Sequence, residues 1–230
     1  MAGLRQDGRS PILIALQSST ISINVVGQPW SGGIIASYDT PTANRPATFQ
    51  NQVYVWETTS NQVPWEKPPV TSIAVPSDSS ASSLVVPFDY EQKGYIVGYG
   101  VGPKPTGVCS TVYLPQFASS DPCQWQYASV WITIVYPQSN LVQVQYAVLP
   151  AYRPATYKNW VAIWQGSSVP YDGEPIGRTD IQSDAASSYA VITGLKLTIG
   201  STYSVGYFVV DPISGRTSLA AQTTFTLSAV

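Results

Sequence analysis

The chain contains nearly the same twelve residues twice, as RPATFQNQVYVW at 45–56 and as RPATYKNWVAIW at 153–164. Seven of the twelve positions are identical at a constant offset of 108 residues. An upstream pair agrees at the same offset, because the alternating strand pattern IIASY at 34–38 aligns with VQVQY at 142–146. The repeated unit is therefore longer than the motif.

A downstream pair also keeps this register, since YIVGYGV at 95–101 aligns with YSVGYFV at 203–209. Small differences in length fall between the matched segments, in serine-rich stretches where loops tolerate insertions. Agreement at both ends of a unit indicates that the offset is the length of a domain. The sequence thus predicts two tandem domains from an internal duplication.

The composition predicts an all-β fold. Apolar residues make up 44% of the chain and charged residues only 10%, which excludes a disordered protein. Abundant Val, Thr, Tyr and Trp, with 19 Pro and 17 Gly, favours short strands separated by turns. In the second copy we expect seven strands, near 130–136, 141–149, 159–165, 176–182, 188–193, 201–210 and 219–228. This number and spacing are typical of an antiparallel β-sandwich.

The offset also sets the expected domain limits. We predict an N-terminal segment at 1–17, a first sandwich at 18–117, a linker at 118–128 and a second sandwich at 129–230. Each predicted domain has about 100 residues, which is enough to bury a core of its own.

The segment GLKLTIGSTYSVGYFV at 194–209 has a Leu, a Gly turn and then Tyr203 opening an alternating strand. It resembles the tyrosine corner of immunoglobulin and fibronectin type III folds, and Tyr95 follows Gly94 in the same way in the first copy. In that corner the phenol hydroxyl is tied to an upstream backbone group. The resemblance implies that both tyrosines are hydrogen-bonded to backbone within their own domains.

The strand NWVAIW at 159–164 follows the proline-bearing LPAYRPATYK. It resembles a strand of SKICH domains and of the fibronectin-like domain that precedes the catalytic part of plant purple acid phosphatases. The similarity covers about a third of each repeat, and the first copy departs from it with Gln52 in place of the first Trp. In those families the strand belongs to a non-catalytic module, so the resemblance implies a binding or assembly role.

Charge and hydropathy exclude several partners. The net charge is −2 and no run of Lys or Arg is available to neutralise a phosphate backbone, so we expect no nucleic-acid partner. No apolar stretch reaches the roughly 18 residues that span a bilayer, and SPILIAL at 10–16 is too short for a signal peptide. We see no signal peptide and expect a cytosolic or non-classically exported protein.

Histidine is absent from the chain, which removes the usual general base and the commonest metal ligand. We therefore predict that the protein is not an enzyme and uses no cofactor. Acidic loop residues could offer oxygens to calcium, but their spacing matches no EF-hand and such residues commonly form Asx turns. We predict no metal site there; the residues concerned are Asp172, Glu174, Asp180 and Asp184.

The most suggestive candidate site is again duplicated, as VPWEKP at 63–68 and VPYDGEP at 169–175. Each copy places an aromatic residue before an acid, Trp65 with Glu66 and Tyr171 with Asp172, after a proline-rigidified loop entry. An exposed ring beside a carboxylate suits a sugar, whose C–H face stacks on the ring while its hydroxyls donate to the acid. Aromatic residues with a polar group also anchor protein interfaces. The structural alternative is that both rings fold back as lids over the sandwich ends.

Three further candidates lie outside these loops. Arg45 and Arg153 open the two RPAT motifs and could clamp a ligand carboxylate or phosphate, but we expect a structural ion pair with Glu66 or Asp172 in preference to that role. Trp30, in GQPWSGG, has no duplicated partner and would suit a recognition surface. Trp125 and Trp131 are also unduplicated, and packing between the two domains explains them equally well.

Cys109 and Cys123 bracket thirteen residues near the domain boundary. A disulfide between them would stabilise the fold by roughly 3 kcal/mol in an oxidising compartment. The alternative is two unrelated thiols, because the sequence does not establish the separation that a bridge needs.

Two functional hypotheses follow. In the first, the protein is a carbohydrate-binding, lectin-like or adhesin-like protein whose two weak sites gain avidity on one chain. This hypothesis expects Trp65 and Tyr171 to be exposed. In the second, it is a structural or self-assembling protein with a pseudo-symmetric interface, and an apolar edge or face is expected. The partner is then a glycan or a protein surface, and a homo-oligomer fits the second hypothesis. A toxin or effector role finds no membrane-inserting segment to support it.

Overall fold

The computed structural model of the chain describes residues 13–116, 121–210 and 216–228, with side chains from residue 17 onward. These residues form β-strands joined by turns and three short 3-10 turns, and they contain no α-helix. The all-β prediction is confirmed. The strands are β1 (Leu13–Thr20), β2 (Ser22–Trp30), β3 (Gly33–Asp39), β4 (Gln52–Glu57), β5 (Thr71–Ala74), β6 (Ala81–Pro87), β7 (Tyr95–Gly100), β8 (Val108–Leu114), β9 (Gln126–Ser129), β10 (Trp131–Pro137), β11 (Leu141–Ala147), β12 (Trp160–Gln165), β13 (Gly177–Asp180), β14 (Ser187–Thr193), β15 (Thr202–Phe208) and β16 (Leu219–Leu227).

The strands form four antiparallel sheets, which group into a first half made of β2 to β9 and a second half made of β10 to β16 together with β1. In the first half the sheet orders are β2-β3-β6 and β5-β4-β7-β8-β9. In the second half they are β10-β11-β14 and β13-β12-β15-β16-β1. The seven strands expected from the second copy appear as β10 to β16, each within a few residues of its predicted position. The two halves therefore have the same strand order, as the repeat predicts.

The last strand of each five-stranded sheet continues directly into the other half. Strand β9 pairs with β8 and passes through Val130 into β10, while β1 pairs with β16 and passes through Ile21 into β2. The N–H of Val130 donates to the carbonyl of Cys109 at 2.8 Å, and the N–H of Ile21 donates to the carbonyl of Ala220 at 3.3 Å. Each half thus completes its larger sheet with a strand that leads into the other half.

These two strands lie where the sequence predicted none. Strand β1 begins inside the N-terminal segment assigned to 1–17, and β9 begins inside the linker assigned to 118–128. The other positions of these two predicted segments, 1–12 and 118–120, lie outside the described residues. Both segments form strands because an unpaired edge, of β16 or of β8, is available to each. The domain limits themselves stay a prediction.

Most of the buried residues form one large cluster that runs through both halves. A smaller second cluster around β12 consists of Trp160, Ala162, Trp164, Val169, Phe208 and Leu219. In the three-stranded sheets inward residues alternate with outward ones, as in Ile34, Ala36 and Tyr38 on β3. The central strands of the five-stranded sheets are buried on both faces, because the loops after β4 and β12 cover their outer faces. Trp56 and Trp164 hold these loops by donating their indole N–H to the carbonyls of Lys67 and Gly173, at 3.1 and 2.9 Å.

Both tyrosine hydroxyls form the contacts expected of the corner. The Tyr95 hydroxyl accepts the N–H of Glu91 at 3.1 Å, and the Tyr203 hydroxyl accepts the N–H of Thr198 at 2.7 Å. Each bond ties the opening of a buried strand to the turn just before it. This prediction is confirmed in both halves.

Candidate ligand-binding cleft between the two halves

The duplicated RPAT segment forms a closed turn at the end of each half. The N–H of Phe49 donates to the carbonyl of Arg45, and the N–H of Asn51 reaches back to the carbonyl of Pro46, both at 2.8 Å. Gln50 adopts the left-handed conformation with φ of 56°, which is uncommon for a non-glycine residue. This is the Schellman arrangement that ends a helical turn. The second copy repeats it with Tyr157, Lys158 and Asn159.

A carboxylate from a neighbouring loop holds each turn. Asp78 accepts the N–H of Thr48 at 2.8 Å and its hydroxyl at 2.7 Å, and Asp184 accepts the same two groups of Thr156 at 2.9 and 2.7 Å. These hydrogen bonds, with the backbone N–H first, lower the pKa of both carboxyl groups. The threonine of each motif therefore ties the turn to the neighbouring loop by donating two hydrogen bonds to its carboxylate.

The asparagine of the motif is fully buried beneath the turn. Asn51 donates its amide to the Tyr99 hydroxyl at 2.9 Å, and Asn159 donates to the Tyr207 hydroxyl at 3.0 Å. Burial raises the pKa of both phenols well above the ordinary tyrosine value. A neutral phenol that accepts an amide is stable in such a site. The motif thus fixes each turn to the core of its own half.

The fifth residue of each motif, Phe49 or Tyr157, then lies at the junction of the halves. The Phe49 ring stacks on Tyr171 of the second half with centroids 5.1 Å apart. Tyr157 lies beside Trp65 of the first half at 6.4 Å, and Trp65 contacts Tyr152 edge-on at 5.0 Å. The two halves therefore exchange aromatic contacts in the same way from both sides.

A cleft of about 440 Å³ opens between these turns. Phe49 and Tyr157 contribute aromatic surface from either half, and threonine and serine hydroxyls lie near them. Lys104 is the one charged residue among the described lining residues. Such a cleft has the size and mixed chemistry of a small-ligand site. It is lined by Thr48, Phe49, Gln50, Val101, Gly102, Pro103, Lys104, Thr106, Tyr157, Val210, Thr217 and Ser218.

The exposed platforms expected at Trp65 and Tyr171 are not found. Both rings are half-buried, and the indole nitrogen of Trp65 and the hydroxyl of Tyr171 are buried without a hydrogen-bond partner in the described chain. They pack on the other half because aromatic contacts there remove more apolar surface from water than exposure would. The expectation of exposure is therefore wrong. Tyr171 packs on Phe49 and Trp65 lies beside Tyr157, the two aromatic residues that line the cleft.

The acids beside these rings are not among the described residues that line the cleft. Glu66 and Asp172 are exposed. Asp172 contributes its backbone carbonyl, which accepts a hydrogen bond from Arg216 at 3.0 Å, and Arg216 also forms an ion pair with Glu174. In the second copy the acidic loop is thus tied to the turn that precedes β16.

The two motif arginines have a different structural neighbour from the one predicted. Arg153 forms an ion pair with Asp184 at 3.5 Å, and the charge of Arg45 helps to lower the pKa of Asp78. The expected pairing with Glu66 or Asp172 is wrong, because the turn already binds the carboxylate that follows β5 or β13. Both arginines are exposed and neither lines the cleft.

The remaining candidates are separate from the cleft. Trp30 is 41% exposed at the end of β2, where its ring lies against Gly32. Trp125 is buried, whereas Trp131 is exposed. Cys109 is buried in β8 and Cys123 is exposed, and both are free thiols rather than a disulfide. A core thiol on a central strand does not reach a partner on the surface turn at Pro122–Gln124.

The cleft residues could have been found in part from the sequence. Phe49 and Tyr157 occupy the same position of the duplicated motif, which marked them as equivalent aromatics. Lys104 and Thr217 lie in loops with no pattern that points to a site. In the described parts of the chain, no group of three or more acidic or cysteine side chains could hold a metal ion, and no helix could cross a membrane.

Comparison with known proteins does not assign the chain to a family. No family model matches the chain, and no curated protein matches it. A solved structure described as the BSP domain of a biofilm-associated protein matches with 11% identity and a TM-score of 0.26. The match covers 82% of this chain, which spans 27% of the length of that one.

Proposed function

We propose that the chain is a non-catalytic binding protein that takes a carbohydrate in the cleft between its halves. The observation that carries this proposal is the lining itself, with aromatic rings from both copies of the motif set among hydroxyls. A pyranose presents a C–H face to such rings and hydroxyls to Thr48, Thr106 and Thr217. Each copy of the motif then contributes residues to the same cleft.

The charge of the lining narrows the class of sugar. Lys104 faces the cleft, and the described lining residues include no carboxylate to neutralise it. A charge-assisted hydrogen bond from its ammonium to a ligand carboxylate would add about 1.5–3 kcal/mol, which is at least tenfold in affinity. The proposal is therefore a sugar with an acidic group, such as a uronate.

Calorimetric titration with uronate-containing and neutral oligosaccharides tests the proposal. We expect Lys104→Ala to weaken binding of the acidic sugars about tenfold or more and to leave thermal stability unchanged, because the side chain is exposed. Lys196→Ala is the matched control, since Lys196 is an exposed lysine outside the cleft. Absence of binding to either panel, or equal effects of the two substitutions, rules the proposal out.

A second candidate, self-assembly, is supported by the outer face of sheet β2-β3-β6. Val26, Ile35 and Val85 lie side by side across its three strands, and they are 46%, 36% and 53% exposed. An apolar row at the centre of a sheet face is the composition of a protein interface core. Light scattering at increasing concentration tests it: Ile35→Glu abolishes any oligomer, whereas Ser83→Glu in the adjacent row does not.

A further inference from the structure

The outer face of sheet β10-β11-β14 differs in chemistry from its counterpart in the first half. Its register places Trp131 and Tyr136 on β10, Tyr189 on β14, and Gln143 and Gln145 on the central strand between them. The three rings are 38%, 42% and 56% exposed. The residues of this face carry no charge, since it is completed by Thr133, Val135, Leu141, Ala147, Ser187, Val191 and Thr193.

The rings are spaced widely over a flat surface. Trp131 pairs with Ala147 and Tyr136 with Gln143, so the backbone positions of these two residues lie four residues of β11 apart, or about 13 Å. Tyr189 pairs with Gln145 and lies two strands away from β10, or about 10 Å across. A ligand that contacts all three rings must therefore be an extended chain rather than a single sugar.

The arrangement of polar and apolar groups also selects the class of ligand. A protein interface places apolar residues at its centre and polar residues at its rim. On this face the amides of Gln143 and Gln145 instead lie in the middle of the central strand, between rings on the two outer strands. Side-chain amides both donate and accept hydrogen bonds, as sugar hydroxyls do.

One of the rings is held in place before any ligand arrives. The Tyr136 hydroxyl accepts a hydrogen bond from the Gln138 amide at 2.7 Å, which limits its rotation. Strands β11 and β14 pair without a register shift along their whole length. A surface that is ordered in advance loses less entropy on binding.

We propose that this face binds an uncharged, extended polysaccharide, with Trp131, Tyr136 and Tyr189 stacking on sugar rings and the two glutamines bonding to hydroxyls between them. The site shares no residue with the cleft and differs from it in charge. It would make the protein able to hold a neutral chain independently of any acidic sugar in the cleft.

Retention of the intact protein on microcrystalline cellulose, chitin and insoluble β-1,3-glucan tests this proposal. We expect retention on at least one of them, and at least a fivefold loss with Tyr189→Ala or Trp131→Ala. Tyr189→Phe keeps the ring and should keep retention. Tyr127→Ala is the matched control, since Tyr127 is 53% exposed on β9, outside this face. The thermal midpoints of the Tyr189 and Tyr127 variants should stay close to that of the parent, because both side chains are more than half exposed.

Several outcomes overturn the proposal. It fails if none of the three polysaccharides retains the protein, or if Tyr189→Ala and Tyr127→Ala behave alike. It also fails if light scattering shows a dimer that Tyr189→Ala dissociates, because the face would then be a protein interface. Lys104→Ala separates the two sites: it should leave retention unchanged even where it weakens binding of acidic sugars, and a loss of retention would assign the polysaccharide to the cleft.

Discussion

Replacing Tyr203 by Phe isolates the hydrogen bond of the second-half corner. The ring is 2% exposed and packs on Phe225 with centroids 5.6 Å apart, so phenylalanine keeps the apolar contacts. Only the bond from the N–H of Thr198 to the hydroxyl is lost. Because Thr198 is exposed, water can replace the lost acceptor, and the cost should be near the typical net value of about 1 kcal/mol.

A loss of about 1 kcal/mol lowers the thermal midpoint of a chain of this size by about 2–4 °C. Calorimetry or near-ultraviolet circular dichroism measures a shift of that size. Tyr54→Phe is the matched control: the Tyr54 hydroxyl is buried, has no hydrogen-bond partner in the described chain, and burial raises its pKa to about 12. Its removal should leave the midpoint unchanged or raise it. An unchanged midpoint for Tyr203→Phe, or equal losses in the two variants, would refute the reasoning.

Three further outcomes are expected. Asn159→Ala should lower the free energy of unfolding by about 1–3 kcal/mol, measured in urea, because the buried Tyr207 hydroxyl loses its amide donor; no loss would contradict this. Asp184 has a lowered pKa in the folded chain, so its contribution to the free energy of unfolding is present above about pH 4 and disappears as the pH falls through that lowered value. Denaturation of the parent and of Asp184→Asn at several acid pH values tests this, and a stability difference that stays constant with pH would contradict it. A thiol reagent should modify Cys123 in the native protein and Cys109 only after unfolding, because burial shields the Cys109 thiol and raises its pKa.

Local sequence patterns were sufficient for the strands and the corners. The alternation at 142–146 and the glycine turn before Tyr203 act over a few residues, and the structure forms them where they were expected. Such features depend on backbone preferences and side-chain spacing, which the sequence displays directly. The repeat likewise predicted that the two halves share one strand order, but not which order it is.

Pairing between distant segments was not predictable in this way. Strand β1 pairs with β16 about two hundred residues later, and any strand edge of suitable register would have been an equal candidate. The choice of Asp184 over Asp172 by Arg153 likewise depends on which loop reaches the turn. Trp65 looked like a ligand platform because an aromatic beside an acid has the same sequence whether the ring meets a sugar or Tyr152.

The two halves agree where their side chains point inward and differ where they point outward. Ile34 and Val142 are both fully buried at equivalent positions, whereas the next residues are Ile35 in one half and Gln143 in the other. Close packing fixes the volume of an inward side chain, but an outward one meets only solvent or a partner. The outer faces of the two halves can therefore differ in chemistry and fit different partners, although the cores beneath them are alike. The apolar row is the surface proposed for self-assembly and the rings around amides are the surface proposed for a polysaccharide, so two halves with one strand order present outer faces of different chemistry.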